Sequence, residues 1–169
     1  MKNQVIKLNS ILYATSLLLL MPVAVLAAKP DDAHALRGVE SGKVAWDITV
    51  SDPRKLQLFL AVIEETYDDL KRQGVEPDMV FTFHGPVLKL ISTDRADVPL
   101  ELEADYDKIA EQLRALLGKP GVRMEACSIA ARLMGLDGSK FLPGIHYVGN
   151  TFVSQIAYQA KGYALIPIY

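Results

Sequence analysis

From residue 43 onward the apolar positions follow two alternating rhythms. Residues 43–50 (KVAWDITV) place Val44, Trp46, Ile48 and Val50 on one side, the period-two pattern of a strand. Ser51-Asp52-Pro53 then supplies a capping side chain followed by proline, a helix start. Leu56, Leu60, Ile63, Tyr67 and Leu70 recur at helical spacing up to Gly74, which reads as the stop. Residues 78–84 (DMVFTFH) form a second strand closed by Gly85-Pro86, and residues 87–91 a short helix. A polar loop over 92–99 leads to a helix over 105–117, with Ile109, Leu113, Leu116 and Leu117 apolar and Gly118 ending it. A third strand covers 122–126 and a helix 128–134; a short fourth strand covers 145–148. Asn150 or Thr151 caps a helix running to Lys161, and residues 163–168 are the last strand. Strands alternating with helices predict an α/β sandwich with a mostly parallel sheet, because parallel strands need crossover helices. The apolar stripes of the helices are read as core.

Before residue 43 the pattern changes. Lys2 and Lys7 precede a nearly unbroken apolar run over 11–26, and Val25-Leu26-Ala27 offers small residues at a cleavage point. This predicts a secretory signal peptide over residues 1–27, with an uncleaved anchor as the alternative. No cysteine stands at the cleavage point, which excludes a lipidated N-terminus. Residues 28–42 are polar, contain Pro30, Gly38 and Gly42, and read as a flexible leader. The domain is expected over 43–169, in the periplasm or outside the cell, with no membrane contact after signal cleavage. Removing the signal leaves 16 basic residues against 20 acidic ones, a formal charge of −4, which argues against a nucleic-acid partner.

Chemistry is expected beyond the carboxyl ends of the strands, where open α/β sheets bind ligands. Asp52, His84, Cys127 and the Gly149-Asn150 pair all stand at such ends. Cys127 is the only cysteine, so no internal disulfide is available to it. It lies at a strand-to-helix junction, where unpaired backbone N–H groups and the helix dipole favour a thiolate. The opposing reading is a small buried filler. Ser128 is a candidate extra donor, and Glu125 would oppose the thiolate if it faced the same way. His84 is a candidate to orient or deprotonate the thiol. His146 reads as packing or interface, and His34 as solvated leader. Three scattered histidines and one cysteine match no metal-site spacing. Nucleotide-binding glycine motifs and a serine-hydrolase elbow are absent, so no cofactor is expected. Arg123 and Glu125 interrupt the apolar character of the third strand, which predicts a partly covered sheet face or charges paired across a subunit contact.

Four segments in order, Val80-Phe81-Thr82-Phe83-His84-Gly85, Arg123-Met124-Glu125-Ala126-Cys127, Leu142-Pro143-Gly144-Ile145 and the stretch from Gln159 to Ile166, resemble the DsrE/DsrF-like family of small sulfur-metabolism proteins. The resemblance covers residues 43–169. It implies a three-layer α/β/α sandwich with a five-stranded, mainly parallel sheet, and homo-oligomeric or hetero-oligomeric assembly. It also implies a persulfide on Cys127, passed between a sulfur donor and an acceptor protein, and matches His84-Gly85 to the family's histidine-glycine at the end of strand two. Two other function classes stay open: a non-catalytic oligomeric binding or adaptor module with Cys127 buried, and a thiol redox sensor.

Overall fold

The computed structural model describes residues 29–169; the expected signal peptide lies outside the described residues. Asp31–Tyr169 form one compact unit. Five strands alternate with helices: β1 (Ser41–Ile48), α1 (Pro53–Arg72), β2 (Glu76–Phe83), α2 (Val87–Leu90), α3 (Glu103–Leu117), β3 (Val122–Cys127), α4 (Ser128–Leu133), β4 (Ile145–Val148), α5 (Thr151–Ala160) and β5 (Ala164–Ile168). Single 3₁₀ turns at Leu100–Leu102 and Gly138–Lys140 complete the list. The sheet order is β4-β3-β2-β1-β5, and all four pairings are parallel. The chain is thus an α/β sandwich, with every strand pair in the orientation that crossover helices demand.

The two faces of the sheet differ in chemistry. One carries Val44, Trp46, Ile48, Met79, Phe81, Phe83, Met124 and Ala126, all buried. The apolar stripes of α1 (Leu56, Leu60, Ile63, Tyr67) and α3 (Ile109, Leu113, Leu116) close over it. Each such side chain contributes roughly 1.5–3 kcal/mol of transfer free energy, so this layer is the main source of stability. The other face is covered by α5, which contacts β1, β2, β3 and β5.

Local signals operate as the sequence predicts in α1. The Asp52 carboxylate accepts from the N–H groups of Arg54 and Lys55, Pro53 opens the helix, and Gly74 takes φ +79° just past its end. Asp52 therefore serves as the N-cap of α1. β1 starts at Ser41, two residues before the strand expected from apolar alternation. Gly42 is paired with Pro77, and a Cβ there would meet Leu70 Cδ1 at 2.8 Å. Ahead of it, Asp32 and Gln73 exchange two hydrogen bonds.

Candidate functional site

Strand register creates the site. In a parallel sheet, partnered residues share a face, so Asp47, Thr82, Glu125 and His146 form one polar row across β1, β2, β3 and β4. Two residues further along the same face, at the carboxyl edge, stand His84 and Cys127. Their predecessors Phe83 and Ala126 are direct partners, so the two sequence-predicted residues end neighbouring strands side by side. α5 crosses this face with Thr151, Gln155 and Tyr158 turned toward the sheet, at the i, i+4, i+7 spacing of one helix side. The helix is inverted: its outer side is apolar and exposed, with Phe152 at 56%, Val153 at 61% and Ile156 at 68% exposure. For α5 the expectation that apolar stripes are core fails within the single chain, because the sheet face beneath it is polar.

Cys127 is the last residue of β3 and the N-cap of α4. Its thiol is unpaired and 5% exposed. Burial pushes the thiol up, but the N–H and hydroxyl of Thr151 and the N–H groups of Ala130 and Ile129 pull it down. The balance leaves it below the ordinary thiol range. Two helix starts thus converge on one sulfur: α4, which follows it in the chain, and α5, which folds back from β4. Thr151 is fully buried, and its Oγ1 lies beside the sulfur without a partner in hydrogen-bonding geometry among the described residues. Ser128 does not serve the thiol; its hydroxyl donates to the Gly149 carbonyl at 2.8 Å and ties the start of α4 to the turn before α5. Asn150 caps α5 through Oδ1, 2.9 Å from the Phe152 N–H. The Gly149-Asn150 pair therefore belongs to the site as the turn that seats Thr151.

His84 faces away from the thiol in its bonding. Its Nε2 lies 2.7 Å from Asp47 Oδ1, and its ring meets Phe152 edge-on at 4.9 Å. No hydrogen bond joins His84 to Cys127 among the described residues, and the groups that act most strongly on the thiol are helix donors. Gln155 Nε2 bridges Asp47 Oδ1 at 2.8 Å and the buried Thr82 Oγ1 at 2.9 Å, so α5 fixes the carboxylate that holds the histidine. Asp47 is the acid at the site that sequence reasoning missed. Its signal was present, as the polar residue between Trp46 and Ile48 that must face away from the core. His146 is exposed on edge strand β4, and His34 is exposed in the leader.

Both charged residues of β3 find partners within the single chain. Arg123 reaches Asp78 at 2.7 Å and the Tyr163 hydroxyl at 2.8 Å, and Tyr163 donates to Asp78 at 2.6 Å. Burial raises the Asp78 carboxyl, but the Tyr163 and Arg123 donors outweigh it and hold it below its usual range. Glu125 Oε1 accepts from the Tyr158 hydroxyl at 2.8 Å, while Oε2 is buried without a partner among the described residues. Burial, and then Glu125, push the Tyr158 hydroxyl up. Among the described residues no three His, Cys, Asp or Glu side chains gather as a metal-ligand set. A shallow cleft lined by Lys89, Asp94, Tyr106, Asp137 and Lys140 includes neither Cys127 nor His84. None of the described helices is long and apolar enough to cross a membrane.

No family model matches the chain. An uncharacterized protein of Aquifex aeolicus (strain VF5) is 28% identical over 125 residues, 74% of this chain and 55% of that protein. The chain therefore spans about half the length of the curated relative it matches. Among solved structures, a protein of unknown function from Methanobacterium thermoautotrophicum superposes with a TM-score of 0.54 at 22% identity, over 73% of this chain and 96% of that one. That likeness establishes the fold shared with an α/β protein and carries no chemistry.

Proposed function

We propose that this protein is an exported sulfur carrier of the DsrE/DsrF-like kind, holding sulfane sulfur as a persulfide on Cys127. The observation that supports this reading is the convergence of the α4 and α5 starts, with Thr151, on a single buried thiol. A thiolate held by dipolar donors is a nucleophile toward sulfane sulfur, and the same donors stabilise the persulfide anion. His84, at the end of the neighbouring strand, is held by Asp47, which Gln155 anchors in turn. Assembly into homo-oligomers is part of the proposal: the exposed apolar side of α5 is the surface that a second copy would cover. The direct test is mass spectrometry after exposure to sulfane sulfur donors. A gain of one sulfur atom, about 32 Da, at Cys127 is expected, and its absence with every donor removes the reading.

A second reading has one observation in its favour, the 5% exposure of Cys127. In it the protein is a non-catalytic oligomeric module and the thiol is filler. The alkylation rate separates the two. A filler thiol reacts only as fast as the protein unfolds, whereas a carrier thiol is labelled in the native state.

A further inference from the structure

Cys127 is 5% exposed, so a sulfur donor meets it over a small area. Two observations beyond the thiol itself restrict what enters. Thr151 is fully buried, and its hydroxyl stands beside the sulfur with no partner in hydrogen-bonding geometry among the described residues. Among the described residues this donor has no acceptor other than the Cys127 sulfur it stands beside. The second observation concerns charge. The groups acting most strongly on the sulfur are backbone N–H donors and one hydroxyl, with no lysine or arginine among them. The row behind Cys127 and His84 carries two carboxylates, Asp47 and Glu125, and Arg123 is committed to Asp78 at 2.7 Å.

Dipolar donors of this kind accommodate one negative charge on a polarisable atom. They supply no counter-ion for the further charge of a sulfonate group, and the Glu125 carboxylate stands on the same strand face two residues before Cys127. We propose that the Cys127 site takes its sulfur from a short, singly charged polysulfide chain and discriminates against sulfonate-bearing donors such as thiosulfate. The inference rests on the reading of Cys127 as a sulfur carrier and names its substrate class. In the step, the Cys127 sulfur attacks the terminal sulfur of a hydrogen trisulfide anion as its thiol proton passes to the leaving group. A new S–S bond forms to give the Cys127 persulfide, and the donor's S–S bond breaks with its electron pair leaving on a hydrogen disulfide anion, so the site carries one negative charge throughout. The cysteine sulfur is oxidised, the central sulfur of the donor is reduced as it leaves, and the transferred terminal sulfur keeps its oxidation state.

The test compares trisulfide and thiosulfate on the full-length protein, following the persulfide by intact mass, with a free cysteine derivative as the reference for intrinsic reactivity. The expected result is a preference for trisulfide exceeding that of the reference thiol by about tenfold or more. Glu125→Gln removes the carboxylate charge and should narrow the gap several-fold by accelerating the thiosulfate reaction alone. A preference equal to that of the reference thiol, or an unchanged gap in Glu125→Gln, overturns the charge selection while leaving persulfide carriage standing. No adduct from either donor, on protein whose Cys127 is shown to be reduced by alkylation after unfolding, overturns the carrier reading itself.

Discussion

Replacing Thr151 by valine keeps the shape of the side chain and the backbone N–H at the start of α5 while deleting the hydroxyl beside Cys127. Two effects of opposite sign follow. A hydroxyl donor acting on an anion is worth about 1.5 kcal/mol, and one pKa unit corresponds to about 1.4 kcal/mol. The thiol of the variant should therefore titrate higher. At pH values below both titrations, the native alkylation rate should fall about tenfold. Stability should move the other way. Thr151 Oγ1 is buried without a partner in good geometry, and relieving an unsatisfied hydroxyl is worth roughly 1 kcal/mol. Asn150 still caps the helix, and threonine and valine have similar helix propensities, so the start of α5 is retained. The assay is the pH profile of iodoacetamide labelling beside urea unfolding, with Thr151→Ser as the control that keeps the hydroxyl. A lower midpoint for valine together with an unmoved pH profile would falsify the assignment: the hydroxyl would then hold the fold and not the thiolate.

Asp78 yields a pH prediction. Its carboxyl titrates below the ordinary value of 3.8 in the folded chain. Its contribution to stability is thus complete above the unfolded pKa and disappears as pH falls through the lower folded one. Asp78→Asn should cost about 1–2 kcal/mol at neutral pH. It should also flatten the stability curve below about pH 4, read by urea titration; a parallel acid limb in both proteins would contradict the pairing with Arg123 and Tyr163. On the outer side of α5, Ile156→Lys touches a residue 68% exposed in the single chain. Its effect on the monomer should stay within about 0.5 kcal/mol, while an assembly built on this side should dissociate. Unchanged light-scattering mass in an oligomeric wild-type background would rule this surface out.

Much of the fold is legible because its determinants are local. Period-two and helical spacing mark the elements, and Asp52-Pro53 and Gly74 frame α1 as their side chains and φ preferences require. Cys127 and His84 are legible as strand-end residues for the same reason. Asp47, Thr151 and Gln155 are harder to read. Each is a single polar residue in an otherwise ordinary element, and its partners lie 108 positions away for the Asp47–Gln155 bond and 73 for Gln155–Thr82. The inverted character of α5 was visible as a Thr151, Gln155, Tyr158 stripe opposite Phe152, Val153 and Ile156. Spacing alone does not say which stripe faces inward when the sheet face beneath is polar.

By itself, then, the sequence determined the alternation of strands and helices, the parallel class that alternation enforces, and a lone thiol at a strand end where backbone donors are free. The tertiary structure alone decided the order β4-β3-β2-β1-β5 and the register that aligns Asp47, Thr82 and Glu125. It also decided that the start of α5 returns to the same sulfur that α4 already caps. Those outcomes depend on which strands pair and which face each helix covers. Such choices are settled by burying the Val44, Phe81 and Leu60 layer as a whole, and no local run of residues encodes them.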